Sequence, residues 1–218
     1  EFGSGLGLDV HIRTKFRRDM SYISSATLRI ATDILEVESQ GVYYLNGVVN
    51  AELPDELSGF AFSHTQPTDK QHVFTVHLGG DERIHVKTYK DVGSVLIEKG
   101  ESKHFGDSVG LMGDFAKGRM LARDGQTILD DANAFGQEWQ VLESETSLFQ
   151  RLRLPQHPME CTLPPPMEAS QIRRRLLESS VDELTAEKAC EHWGEGKDDC
   201  VFDVLTTGDL EMAIVGAY

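Results

Sequence analysis

The sequence predicts a mainly β fold, an antiparallel sandwich or barrel, followed by a small α-helical part at the C-terminus. Within residues 8–110, short runs alternate apolar and polar side chains, as half-buried strands do. Turn-forming residues, above all glycine, separate these runs. After a proline-rich stretch, residues 154–167, the spacing of the apolar residues becomes helical.

The strands are predicted from the extent of each alternating run, and they cover residues 9–15, 27–37, 42–45, 48–49, 71–78, 83–89, 92–98 and 108–112. The dipeptide Asn46-Gly47 favours the positive φ angles of a tight hairpin turn. Residues 79–82, Gly-Gly-Asp-Glu, mark a second hairpin. Several short strands with such turns indicate antiparallel sheet.

The C-terminal part has helical signals. Ile172, Leu176 and Leu177 share one predicted helical face. Residues 180–183, Ser-Val-Asp-Glu, have the form of a capping box, which predicts a helix that begins there and runs through Cys190. Another short helix is predicted to end at Gly208, with a final turn beyond it. We therefore divide the chain into a β domain (1–153), a linker (154–167) and a helical module (168–218).

Charge and hydropathy exclude several functions. The net charge of −15 and a pI near 4.9 disfavour binding to nucleic acid or to anionic membranes. No run approaches the roughly 18 apolar residues that predict a membrane span. The first residues, Glu-Phe-Gly-Ser-Gly, lack the features of a signal peptide and indicate either a cloning scar or a fragment whose natural start lies upstream.

One motif is typical of a catalytic serine. Residues 106–110 match G-x-S-x-G, with Ser108 in the nucleophile position. That elbow requires a strand-to-helix turn above a parallel sheet, and no helical pattern follows here. We therefore predict that the protein is not an enzyme, and a serine hydrolase that uses Ser108 is the alternative.

The sequence suggests two kinds of metal site. His77 and His85 lie on facing strands of a predicted hairpin, but two imidazoles lack the further ligands of a zinc site, so exposed positions are the better interpretation. Carboxylates in and after the loop 113–125 suggest Ca²⁺, with Asp114, Asp124 and Asp131 as candidate ligands. Asp124-Gly125 is equally typical of a turn.

The basic run Arg173-Arg174-Arg175 is either a solvated helix face or a processing or anion-binding site. The cysteines are Cys161, Cys190 and Cys200. In a secreted protein this odd count implies a free thiol or a partner elsewhere, whereas in the cytosol all three would be reduced.

Two regions together resemble the von Willebrand factor type D family. Residues 110–115, 122–127 and 133–141 are similar to the end of such a domain, which has the pattern G-L-C-G-N-F, a D-G turn and F-G-x-S-W-x-V. Residues 189–209 are similar to the helical cysteine module that follows these domains, where C-x-F-D-x-x-x-T-G-D is common. The resemblance implies an antiparallel β-sandwich with a disulfide between Cys190 and Cys200.

The sequence also departs from the family pattern. Met112 replaces a cysteine, and Asp114 replaces an asparagine that binds Ca²⁺ in many members. An acidic pair usually found a few residues later is deleted within 116–121, and the opening strands of the family are missing, so they should lie upstream. Cys161 matches a cysteine that pairs with that upstream segment, which leaves it unpaired here or bonded to a separate piece.

The resemblance implies a non-catalytic extracellular or cell-surface module for structure, adhesion or protein–protein interaction. Its expected partners are other proteins, through self-association, matrix contacts or a larger assembly. A module that binds Ca²⁺ or another ligand is a further alternative.

Overall fold

A computed structural model of the chain describes residues 7–17, 20–98, 105, 108–111, 113–114, 117–140 and 180–215. The chain divides into two compact units. The first comprises Glu1–Lys15 and Ser21–Leu152, and the second comprises Phe16–Met20 and Arg153–Tyr218. The predicted linker, residues 154–167, and the predicted helix around Ile172 lie outside the described residues.

Ten strands form one curled sheet, shaped like half of a barrel. They are β1 (Leu8–Arg17), β2 (Met20–Ile30), β3 (Asp33–Glu38), β4 (Tyr43–Leu45), β5 (Val48–Val49), β6 (Glu56–Leu57), β7 (Phe60–Thr68), β8 (Gln71–Gly79), β9 (Glu82–Tyr89) and β10 (Val92–Glu98). Their order is β5-β4-β3-β2-β10-β9-β8-β7-β6, and β1 also pairs with β2. The predicted fold class, mainly antiparallel β with a small helical C-terminal part, is confirmed.

The hydrophobic core lies on one face of this sheet. Phe74 and Val76 on β8 are directly opposite Val86 and Ile84 on β9, and all four are at most 2% exposed. The same face continues on β2 and β3 with further buried aliphatic residues: Ala26, Leu28, Leu35 and Val37. Because each large side chain that leaves water contributes about 1.5–3 kcal/mol, this alternation is what fixes the register of the strands.

Both predicted hairpins are present. Asn46 and Gly47 have φ angles of 49° and 86° and connect β4 to β5. Only residues that tolerate the left-handed region fit both positions of such a turn, which explains why this dipeptide predicted it correctly. The residues after β8 turn the chain into β9, and Gly79 pairs with Glu82 across a bulge.

Three strand predictions need correction. Residues 27–37 are not one strand, because β2 ends at Ile30 and the chain reverses at Ala31, whose φ is 49°. Residues 108–112 are predicted as a strand, but 108 and 109 have no regular secondary structure, and 110 and 111 form a bend and a turn. The strand β7 was missed, since its polar residues and Pro67 weaken the alternating pattern.

Both units contain helices. They are α1 (Ala132–Glu138), α2 (Glu183–Ala189), a 3₁₀ helix (Glu191–Gly196), α3 (Lys197–Thr207) and α4 (Met212–Val215). The helix α2 begins later than the capping box predicted. Asp182 is its N-cap and accepts from the backbone N–H of Thr185, whereas the Ser180 hydroxyl donates to the carbonyl of Gly208.

The helical part has a small core of its own. Ala186 on α2 and Val204 on α3 are fully buried. Cys190 and Cys200 are buried beside them and are joined by a disulfide with a Cα–Cα separation of 5.8 Å. The indole N–H of Trp193 donates to the carbonyl of Ala213, which ties the 3₁₀ helix to α4.

Candidate functional site

Asp114 is one of the three calcium ligands that the sequence suggests. Its carboxylate is buried, with the residue 1% exposed. One oxygen, Oδ2, accepts from Nη2 of Arg119 at 2.6 Å and lies 3.4 Å from Nζ of Lys117. The hydrogen bond from Arg119 holds the pKa of Asp114 below its usual value, although burial alone would raise it. The charge of this carboxylate is therefore already neutralised by two cations.

The other two candidate ligands shape their own backbone. Asp124 accepts from the backbone N–H groups of Gln126 and Thr127 and from the Thr127 hydroxyl, and these bonds, that hydroxyl first, lower its pKa. Asp131 is the N-cap of α1 and accepts from the N–H groups of Asn133 and Ala134. The Asp124 contacts are typical of a turn, and the Asp131 contacts are typical of the start of a helix.

This donor set does not fit a calcium site. Ca²⁺ takes six to eight oxygen ligands, and a cation would meet the positive charges of Arg119 and Lys117 at Asp114. Within the described residues, no group of three or more His, Cys, Asp or Glu side chains is placed to hold a metal ion. The three aspartates have separate roles in local structure.

Ser108 is buried, with 2% of the residue exposed. Its hydroxyl donates to the carbonyl of Gly113 at 3.1 Å. Of the described residues directly after it, Gly110 forms a bend and Leu111 a turn, and residues 109–111 do not form the helix that a nucleophile elbow requires. Gly106 and Asp107 of the motif lie outside the described residues.

The two histidines that the sequence placed across a hairpin are not directly opposite each other. His77 is opposite Arg83, and His85 is opposite Thr75. A bulge between His77 and Gly79 shifts the register by one residue, and His77 lies diagonal to His85 as a result. His85 instead belongs to a polar network that spans β8, β9 and β10.

This network is ordered by hydrogen bonds through the His85 ring. Nε2 of His85 lies 3.3 Å from Oε2 of Glu98, and Nδ1 lies 3.0 Å from Oγ1 of Thr75. Desolvation raises the pKa of Glu98, but the hydrogen bond from His85 and the charge of Arg83 together outweigh it, so the pKa is below its usual value. An ionised Glu98 can only accept, so Nε2 carries the proton and Nδ1 accepts from Thr75. Desolvation lowers the pKa of His85, which keeps the ring neutral.

A second pair of histidines was missed by the sequence analysis. Nε2 of His64 on β7 lies 3.1 Å from Nδ1 of His72 on β8. Phe74 stacks on His64, with ring centroids 4.4 Å apart, and Tyr43 lies 6.0 Å away. The pair is found only once β7 and its register with β8 are known, because His64 is opposite Phe74 and thus diagonal to His72.

Two of the three cysteines form the pair that the resemblance implied. Cys190 and Cys200 are bonded to each other. Cys161 lies outside the described residues, as does the basic run of residues 173–175.

The strand β5 is at one end of the sheet. Val48 and Val49 are 60% and 53% exposed there. Between Arg29 and Lys70 the sequence has no lysine or arginine but seven carboxylates: Asp33, Glu36, Glu38, Glu52, Asp55, Glu56 and Asp69. The end of the sheet at β5 is therefore an apolar edge within an acidic segment.

No protein-family model matches the chain, and a search of the curated proteins returns no similar sequence. Among the described residues, no helix is long and apolar enough to cross a membrane.

Proposed function

We propose that the protein is a non-catalytic extracellular interaction module, of the kind that the von Willebrand factor type D resemblance implies, and that it binds a partner protein along β5. The observation that carries the proposal is the exposure of Val48 and Val49 on the terminal strand of the sheet. Such an edge accepts an extended segment of another chain as an additional strand.

The backbone of β5 has the geometry that strand addition needs. Asn50 N–H donates to the carbonyl of Tyr43, so this pair is hydrogen-bonded. Hydrogen-bonded and non-hydrogen-bonded pairs alternate in antiparallel sheet, and the next pair is Val49 with Tyr44. The N–H and C=O of Val49 consequently point away from β4, toward the open edge.

The side chains on this edge favour a partner with apolar and basic residues. Val48 is opposite Leu45 and Val49 is opposite Tyr44, so one valine lies on each face of the sheet. The exposed carboxylates of Glu52, Asp55 and Glu56 follow β5 in the chain. Their charge favours a cationic segment and repels a second copy of this acidic chain.

Two further observations support the extracellular location and the non-catalytic role that we propose. A disulfide between Cys190 and Cys200 suits an oxidising compartment, which favours an extracellular location. The Ser108 hydroxyl donates to the backbone carbonyl of Gly113, which favours a structural role for this residue.

The proposal is tested with a lysine-valine alternating peptide of roughly eight residues, the length of an ordinary strand. We expect it to shift the backbone amide resonance of Val49 in ¹⁵N spectra of the full chain, and a glutamate-valine peptide of the same length to leave that resonance unchanged. The binding should weaken as salt is raised, because charge attraction contributes to it.

Matched variants separate edge binding from non-specific attraction. Val49→Lys adds a charge to the edge and should abolish the shifts, whereas Leu184→Lys changes a side chain that is 76% exposed on α2 and should preserve them. The proposal is wrong if the basic peptide leaves β5 unperturbed, or if both variants bind it as the wild type does.

A further inference from the structure

The His64–His72 pair lies where the two ends of the curled sheet meet. In the order of the strands, β4 and β7 are separated by β3, β2, β10, β9 and β8. Even so, the ring centroid of Tyr43 on β4 lies 6.0 Å from that of His64 on β7. Nearby, the backbone N–H of Ser58, just before β7, donates to the carboxylate of Asp33 on β3. The contact at the pair is thus made by side chains, across the curl of the sheet.

Both imidazoles contact the same short segment, residues 41–43, which ends at the first residue of β4. Gly41 lies so close to the ring of His72 that a Cβ at this position would overlap it. Tyr43 lies beside His64. Phe74, which is fully buried in the core, stacks on the face of His64 with an interplanar angle of 17°. The pair is therefore enclosed between the core and this segment.

Tyr43 in turn holds the chain directly after β5. Its backbone N–H lies 3.4 Å from Oδ1 of Asn50, to which it donates, and its carbonyl accepts from the N–H of Asn50 at 2.8 Å. Its hydroxyl donates to the carbonyl of Ala51 at 2.9 Å. A movement of Tyr43 would consequently disturb the edge strand.

The hydrogen bond between the rings requires one facing nitrogen that has no proton. Nε2 of His64 lies 3.1 Å from Nδ1 of His72, the ring planes differ by 3°, and one of the two nitrogens carries the hydrogen. A first added proton binds the outward nitrogen of the donor ring and keeps the bond, which is then charge-assisted. A second proton must bind the facing nitrogen of the acceptor ring. Two N–H groups on two positive rings then face each other, so this contact is lost.

The surroundings of the pair oppose its protonation. Desolvation lowers the pKa of both histidines, and the charge of His72 lowers the pKa of His64 further. Tyr43, Phe74 and Thr88 face the pair from β4, β8 and β9, and none of them carries a carboxylate that would balance a positive charge. Of the three, only Tyr43 is titratable. Because separated rings would have the ordinary pKa of 6.5, they bind protons more readily than the packed pair, so separation becomes favourable as the pH falls below 6.5.

We propose that the His64–His72 pair is an acid-sensitive contact that holds residues 41–43 and the β5 edge in place at neutral pH and releases them in mild acid. This inference rests on the partner site proposed for β5 and adds its regulation. Phe74 is fixed in the core, whereas Tyr43 is only half-buried, so the segment 41–43 is the part that yields when the rings separate. Histidine protonation at about pH 5–6 switches interfaces in this way. A partner bound at neutral pH would be released in an acidic compartment.

The switch is tested first without a partner, in ¹⁵N spectra of the full chain between pH 7.5 and pH 4.5. We expect the amide resonances of Tyr43 and Asn50 to shift with the second of two protonation steps of the histidine rings. In His64→Gln, the carboxamide oxygen can accept from a protonated His72, so these shifts should be lost. His77→Gln is the matched control, because His77 lies on the same strand as His72 but on the opposite face. It should shift like the wild type.

The lysine-valine peptide then tests the regulation of binding. Its affinity for the wild type should fall by about tenfold or more from pH 7.5 to pH 4.5, the factor for one histidine whose pKa differs by one between the held and released states. The fall should be clearly smaller in His64→Gln and in the reciprocal variant His72→Gln, and thermal melting at pH 7.5 shows that each is folded.

The two measurements have separate outcomes. A peptide that does not bind at pH 7.5 would overturn the function proposed for β5, whereas the spectra without peptide would still decide the switch. The switch is wrong if the resonances of Tyr43 and Asn50 do not follow the protonation of the pair in the wild type. It is equally wrong if they shift as much in His64→Gln and His72→Gln.

Discussion

The buried carboxylate of Asp114 lies 2.6 Å from the guanidinium of Arg119, and the same two residues are joined by backbone hydrogen bonds. Asp114 N–H donates to the carbonyl of Arg119 at 2.8 Å, and Arg119 N–H donates to the carbonyl of Asp114 at 3.2 Å. Side chain and backbone thus close one short loop together. Asp114 is predicted to bind calcium, but the cation at its carboxylate is the guanidinium of Arg119.

Arg119→Met should destabilise the β unit. The substitution leaves a buried carboxylate with Lys117 as its remaining cation, and we expect a loss of about 1–2 kcal/mol, since Arg119 is itself partly exposed. The measurement is the urea midpoint at neutral pH. Lys117→Met is the control and should cost less, because Lys117 is 55% exposed and lies 3.4 Å from the carboxylate. Equal effects would contradict the assigned role of Arg119.

Asp203 on α3 should make the helical part more stable in mild acid. Burial, and then the charge of Asp199 one turn earlier, raise its pKa from 3.8 to about 6. Because the folded state binds this proton more tightly than the unfolded state, the contribution of the group is full below pH 3.8 and is lost as the pH rises through about 6. Asp203→Asn should therefore stabilise the protein at pH 7.5 by about 1–2 kcal/mol, discounted for partial exposure.

The Asp203 prediction is checked by denaturation between pH 4 and pH 8. The stabilising effect of Asp203→Asn should shrink toward pH 4, and Asp199→Asn should lower the pKa of Asp203 when its carboxyl carbon is followed by NMR. A variant that gains the same stability at every pH would show that the charge of Asp203 is not the cause.

The sequence predicted strands where turn chemistry marks their ends. Asn46-Gly47 is a turn-forming dipeptide of this kind, and the hairpin predicted there is confirmed. The reversal at Ala31 lacks one, because alanine rarely adopts a positive φ and its cost is offset by the pairing of β2 with β3. Likewise, Ser180 and Asp182 are both good caps, and only tertiary contacts decide between them, since Ser180 bonds to Gly208.

The candidate site was harder to predict than the fold. Residue type identified Asp114 as a possible ligand, but the presence of Arg119 at its oxygens depends on a loop conformation that no periodicity encodes. The His64–His72 pair depends on register, and register depends on the bulge between Thr65 and Thr68 in β7. A shift by one residue would have placed His64 on the other face.

The disulfide should be detectable by counting thiols. Two of the three cysteines are bonded to each other, so the denatured, unreduced protein should have at most one free thiol, and reduction should bring the total to three. Reduction should also destabilise the helical part by about 2–3 kcal/mol, because the bond closes a short loop in the unfolded chain. Three free thiols before reduction would contradict the bond.

Gly41→Ala should destabilise the β unit more than Gly59→Ala. Both glycines have positive φ angles, 78° and 85°, so both substitutions incur backbone strain of about 1 kcal/mol. Only at Gly41 does the new methyl group also overlap the ring of His72, whereas nothing lies within 4 Å of the corresponding position at Gly59. We therefore expect a total loss of about 2–4 kcal/mol for Gly41→Ala, measured by thermal melting. Equal losses would mean that the His72 ring moves away without cost, and would contradict the tight placement of the histidine pair.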